Sequence, residues 1–186
     1  MCIMLAVFMG KVLKKKTAVA GDEVTYSLML RQMQKASAIQ HKGIASRHAY
    51  SMDGIDYYCG IRDEDIGILR QKYDVIILDI SFENTFDNTN VTFARMVSRL
   101  SACDEKILAG SMLPWKSREC EKKMERIERF LDIRGLKMVT LAACDKEAVS
   151  IIKKHGVEVV LIPFERNPFV ISGESLRSFL ELLKIT

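Results

Sequence analysis

The stretch Tyr73–Ile80, YDVIILDI, limits the folds open to this chain more than any other segment. Val75, Ile76, Ile77 and Leu78 are apolar without a break, and three of them are β-branched. Such a run has no polar face to give to water, so it predicts a strand buried on both faces, as in a parallel sheet. A parallel sheet needs crossover connections, usually helices, between its strands.

The rest of the chain supplies that alternation. Periodicity predicts a helix over residues 3–15, a short strand at Thr17–Ala20, and a helix at Glu23–Ala36 with apolar Leu28, Leu30 and Met33. A strand at Ile55–Gly60 precedes a helix at Asp63–Lys72, whose Asp63, Glu64 and Asp65 suit the positive end of the helix dipole. After the 73–80 strand come a helix at 88–101, a strand at Lys106–Gly110 and a long helix at Lys116–Ile133. A strand at Leu136–Ala142, a helix at Asp145–His155 closed by Gly156, a strand at Val157–Ile162 and an amphipathic helix at Ser172–Lys184 complete the order. The fold class expected is α/β with a mostly parallel sheet and right-handed crossovers in one domain spanning 1–186. The longest polar insertion, Ser81–Asn90, lies at the carboxyl end of the clearest strand, where open α/β sheets bind ligands.

Totals narrow the class further. At 186 residues, 48% hydrophobic and 28% charged, the chain matches an ordinary globular protein and excludes disorder, collagen and disulfide scaffolds. The net charge of +4 is spread among interleaved acids and bases, so nucleic acid leaves no strong signal. Five scattered cysteines (Cys2, Cys59, Cys103, Cys120, Cys144) without CxxC spacing predict reduced thiols in a cytoplasm, and three histidines far from any cysteine pair argue against zinc. The apolar opening Met1–Gly10 carries its lysines after the run rather than before it and is too short to span a bilayer. It reads as a core helix closed by Lys11, Lys14, Lys15 and Lys16 in its last turn, and no transmembrane segment is expected.

Four stretches together resemble the MinD/ParA-type P-loop ATPases (deviant Walker, SIMIBI class), especially short divergent relatives from Gram-positive bacteria and pilus-assembly homologues. MLAVFMGKVLKKKTAVAGDE is similar to the family's first helix running into its second strand. YDVIILDI is similar to the strand that ends in the Walker B aspartate. ACDEKILAGSMLPWKSRECEKKMERI resembles the next strand, loop and helix, and GVEVVLIPFERNPF the last strand with the loop bordering the adenine site. The resemblance implies a three-layer, Rossmann-like P-loop NTPase fold.

It also exposes departures. The family carries a strand and a glycine-rich phosphate loop before that first helix, and this sequence contains no GxxxxGK[ST]. In the family that strand lies mid-sheet, so its loss leaves ladder groups for neighbouring strands or a partner to satisfy. Ser81 also stands where the family usually has glycine. Two explanations remain open: a misassigned or truncated start, with a longer active ATPase, or a degenerate module that kept the fold and lost the chemistry. No cofactor is expected for the chain in this form, ATP and Mg²⁺ entering only with a longer protein; a protein partner or a homodimer is expected instead.

The resemblance places Asp79 where a carboxylate acts on Mg²⁺ through water, Asp22 (with Glu23) near the attacking water, and Asn167 and Pro168 beside adenine. Each has a plainer reading: a strand-closing acid for Asp79, an N-cap and first-turn acid for Asp22 and Glu23, and a turn into the last helix for Asn167 and Pro168. Pro114 and Trp115 are expected to begin a loop, Lys14–Lys16 to be solvated, and His48 and His155 to lack a nucleophile or metal partner. A rival reading takes YDVIILDI as the phosphoacceptor strand of a response-regulator receiver domain, with Asp79 phosphorylated. The length of the chain, the long helix at Lys116–Ile133 and the missing lysine near VVLIPFERNPF speak against it.

Overall fold

A computed structural model describes residues 1–21, 37–39, 44, 48–80, 90–111, 113–132, 135–141 and 146–185. The expected helix at Glu23–Ala36, most of the insertion Ser81–Asn90, and Asp22, Glu23 and Cys144 lie outside them. The chain divides into two compact units, Met1–Asn88 with Pro168–Val170, and Thr89–Asn167 with Ile171–Thr186.

The first unit opens with α1 (Cys2–Val7), which continues as a wider π-helical turn, Phe8–Val12. Ile3 to Phe8 are buried, as expected of a core helix. The helix ends sooner than the predicted 3–15, so Lys14, Lys15 and Lys16 follow it instead of closing it. Lys14 turns the chain with φ 56°, and the Lys15 N–H reaches back to the Met9 carbonyl at 3.0 Å. Close packing accompanies the wider turn: a Cβ on Gly10 would lie 3.0 Å from Ile55 Cγ1. The basic residue of the last turn is Lys11, whose Nζ donates to Asp53 Oδ2 at 2.6 Å.

Five strands follow: β1 (Thr17–Gly21), β2 (Ser37–Ala38), β3 (His48–Met52), β4 (Ile55–Cys59) and β5 (Val75–Leu78), in the order β2-β3-β4-β1-β5. β1 pairs in parallel with both β4 and β5. β3 and β4 form an antiparallel hairpin across Asp53–Gly54, both with positive φ (55° and 78°), the geometry that Asp-Gly favours in two-residue turns. Helix α2 (Asp63–Lys72) matches the predicted bounds. Its buried Asp65 carboxylate accepts the Arg62 N–H at 3.0 Å, satisfying one of the donors a helix start leaves over.

β5 is parallel as predicted and stands at the end of the sheet order among the described residues, with Ile76 and Leu78 packed against the core on one face and Ile77 buried on the other. Ile77 is buried, whereas Val75, Ile76 and Leu78 are half-buried. Among the described residues one side of its ladder is taken by β1 and the other by no strand.

The second unit contains α3 (Asn90–Ser101), β6 (Ile107–Ala109), α4 (Pro114–Glu128), β7 (Lys137–Leu141), α5 (Lys146–Lys154), β8 (Glu158–Ile162) and α6 (Gly173–Leu183). Its strands form a separate parallel sheet, β6-β7-β8. Helix α4 begins two residues before the predicted Lys116, so Pro114 and Trp115 open the helix and are not in a loop. Proline suits that first position because its missing N–H would have had no helical partner. Fully buried Met124, Met138, Ile152, Phe179 and Leu182 form the centre of this unit.

Candidate functional site

The carboxyl ends of β1, β4 and β5 define one edge of the parallel part of the first unit. There the Gly60 N–H donates to the Gly21 carbonyl at 2.9 Å and the Asp79 N–H to the Ala20 carbonyl at 2.8 Å. Asp79 therefore begins where the β1–β5 ladder ends, at the level of Gly21, the last residue before Asp22 in sequence. Asp79 is half-buried, and among the described residues no side chain bonds it. The backbone thus puts Asp79 where a strand-end carboxylate belongs in an open α/β sheet.

Asn167 is exposed and Pro168 half-buried, in the connection between β8 and α6. They fall in different compact units, Asn167 in the second and Pro168 in the first. In the second unit the connection is fixed by Glu165: its Oε1 accepts the Ser175 hydroxyl at 2.6 Å and the Ser172 N–H at 3.1 Å. Hydrogen bonding from the Ser172 hydroxyl, then from the Ser175 hydroxyl and the Ser172 N–H, favours the charged form and holds the carboxyl below its ordinary range. The Ser172 hydroxyl in turn accepts the Ser175 N–H at 3.2 Å and caps α6.

Sequence reasoning missed a polar chain in the core of the first unit. The Tyr73 hydroxyl donates to Asp56 Oδ2 at 2.6 Å, and the Tyr58 hydroxyl lies 2.6 Å from that of Tyr73. Because the carboxylate only accepts, the donors run Tyr58 to Tyr73 to Asp56. Lys16 Nζ sits 5.2 Å from the Tyr73 ring centroid. Burial pushes both phenols upward, and for Tyr73 the bond to Asp56 adds to the rise. On the neighbouring residue, the buried Tyr57 hydroxyl has no hydrogen-bond partner among the described residues, and burial followed by the Asp53 charge raises its pKa. No periodic signal marks this chain; it arises because β1 brings β4 and the start of β5 to either side of itself.

The remaining sequence candidates are structural. His155 Nδ1 lies 3.8 Å from Glu128 and Nε2 4.0 Å from Glu121, both on α4, and His48 packs on Tyr50 with ring centroids 6.4 Å apart. Burial pushes the Cys120 thiol up, away from the thiolate a nucleophile needs. A Cβ on Gly110 would lie 2.5 Å from Met138 Cε and 2.9 Å from Cys120 Sγ, so a larger residue there would make those side chains shift. Among the described residues no group of three or more His, Cys, Asp or Glu is placed to hold a metal, and no helix is long and apolar enough to cross a membrane.

No protein-family model and no curated protein matches this sequence. Solved structures do. The MinD cell division protein of Aquifex aeolicus superposes with a TM-score of 0.63 over 100% of this chain and 92% of that chain, at 12% identity. The MinC:MinD cell division protein complex of the same organism gives 0.64 over 99% and 91%, at 13% identity. The fold is MinD-like. At such identity the likeness extends to the P-loop NTPase-type fold and not to its chemistry.

That fold raises the question of Mg·ATP. A strand-end carboxylate such as Asp79 suits a water-mediated Mg²⁺ contact by donor chemistry. The phosphates would need a glycine-rich backbone cradle and its lysine, and the sequence has no such motif.

Proposed function

We propose that this chain is a MinD/ParA-like domain that acts through protein–protein association, in a partitioning, polarity or pilus-assembly type of role, without hydrolysing nucleotide in this form. One observation carries the reading: β5 has the sequence of a central strand and, among the described residues, the pairing of an end strand. Natural end strands are blunted by charge, proline or a bulge, and Val75–Leu78 has none of these. An unblunted end strand offers a row of backbone groups to another extended chain. One solved neighbour is itself a complex, MinC with MinD, so a protein of this fold binds a protein.

The test pairs calorimetry with Mg·ATP and sedimentation velocity over a concentration series, alone and with source-cell extract fractions. The reading expects no saturable nucleotide binding and a sedimenting species heavier than the 21.1 kDa chain. Tight, saturable Mg·ATP binding would overturn it. An intact mass from the source cell above 21.1 kDa, with a peptide reading through a glycine-rich loop, would instead favour an active ATPase of which this chain is a fragment.

A further inference from the structure

In the second unit, the connection between β8 and α6 is held firmly yet presents an aromatic ring to water. Phe164 is 73% exposed. A lone exposed apolar residue is ordinary and needs no explanation. This one differs because its neighbours are tied down. Glu165 turns inward to accept from Ser172 and Ser175, and Ser175 is fully buried. The Ser178 hydroxyl of α6 donates to the Leu161 carbonyl of β8 at 2.9 Å, and Lys184 Nζ meets Glu158 Oε2 at 3.2 Å. Strand and helix are thus fastened on both sides of the connection, and its aromatic residue is presented in a set position.

Charge adds a direction. With Glu165 engaged by the two serines, Arg166, which is exposed, is the outward charge beside Phe164. Leu141 and Leu161, at the ends of β7 and β8, are also exposed. Aromatic residues and arginine are the side chains most often found at the energetic centres of protein interfaces, and a fixed loop avoids the entropy cost of ordering on binding.

We infer that this connection is a docking knob for another protein, with Phe164 entering an apolar pocket whose rim carries carboxylates that meet Arg166. The inference rests on the association reading above and names the surface and the kind of partner. The glutamate tie is the positioning element and the phenylalanine is the anchor.

The full chain is expressed in its source cell with a benzoylphenylalanine photocrosslinker at position 164, and separately at position 130, where Phe130 is 62% exposed just after α4. The expected result is an adduct at 164 to one segment of another protein, containing apolar residues flanked by Asp or Glu, with little adduct at 130. Arg166→Glu is expected to reduce the yield at 164 tenfold or more, and Glu165→Gln to reduce it less. The inference fails if 164 gives no adduct, if the adduct is to lipid, nucleotide or a second copy of the chain, or if Arg166→Glu leaves the yield unchanged. If 164 is silent while the chain still sediments in a heavier complex, the knob is wrong and association stands. If the chain is also monomeric throughout, both fall.

Discussion

The two compact units keep their polar groups in different places. In the first, hydroxyls and carboxylates are taken inside: Tyr58, Tyr73 and Asp56 form a chain, Asp65 is buried under Arg62, and the Tyr57 hydroxyl is buried with no partner among the described residues. In the second, the largest fully buried side chains are aliphatic, thioether and aromatic, and the buried Lys137 and Ser175 reach out to carboxylates nearer the surface, Glu105 and Glu165, while Lys184 meets Glu158. Buried polar bonds fix one arrangement but make the loss of a single partner costly, whereas bonds nearer the surface are individually weak and forgiving. The first unit should therefore be sensitive to single atoms and the second to packed volume.

The largest effect tests whether the two are separate at all. Phe8→Ala in the first unit and Phe179→Ala in the second each remove a fully buried ring, which costs about 3–5 kcal/mol. Hydrogen exchange read by mass spectrometry should show each variant loosening its own unit; equal loosening of both units by either variant would mean that they unfold as one. Next is Tyr73→Phe, which takes the middle hydroxyl from the chain and leaves Tyr58 and Asp56 short of a bond, at a cost of about 1–3 kcal/mol. Urea denaturation followed by exchange in the Ile55–Leu78 peptides measures it, and an unchanged midpoint would show that the chain contributes nothing net.

Titration should separate the units at opposite ends of the pH scale. The raised phenols of Tyr58 and Tyr73 contribute stability that is complete below the ordinary tyrosine value of 10.0 and is lost as pH rises beyond it, so the first unit should loosen first in alkali. The lowered carboxyl of Glu165 contributes stability present above its ordinary 4.5 and lost as pH falls, so the start of α6 should open first in acid. Exchange profiles at both extremes decide this, and a reversed order would refute the contrast. The smallest effect is Tyr57→Phe: deleting an unpartnered buried hydroxyl should leave stability unchanged or raise it by up to about 1 kcal/mol in thermal melts. A clear loss would reveal a partner for that hydroxyl.

Much of this was legible in the sequence where one physical signal dominated. The aliphatic run at 75–78 identified a parallel strand, and three acids at 63–65 identified a helix start, because each pattern has few alternatives. Its position at the end of the sheet order among the described residues was not legible, since an apolar run shows that a strand's faces are covered and not which strands pair with its edges. The β3–β4 hairpin was missed although Asp53–Gly54 announces it; the mixed composition of His48–Met52 hid the first strand. For the candidate site, the strand-end place of Asp79 followed from the run before it. The tyrosine chain did not, because residues 58 and 73 meet only through pairings made elsewhere in the sheet. Nor did the role of Glu165, which reads in sequence as one more loop acid and acts as the fastening of α6.

The placement of β1 also bears on the order in which the chain assembles. Thr17 to Ala20 form ladders to Ile55–Tyr58 on one side and to Val75–Leu78 on the other, so β1 is synthesised well before both of its partners and cannot be completed until they have emerged. Closing such distant pairings is slow, and the waiting strand is apolar after Thr17. During synthesis β1 waits for both of its partners, and its two ladders close only after Leu78 has left the ribosome.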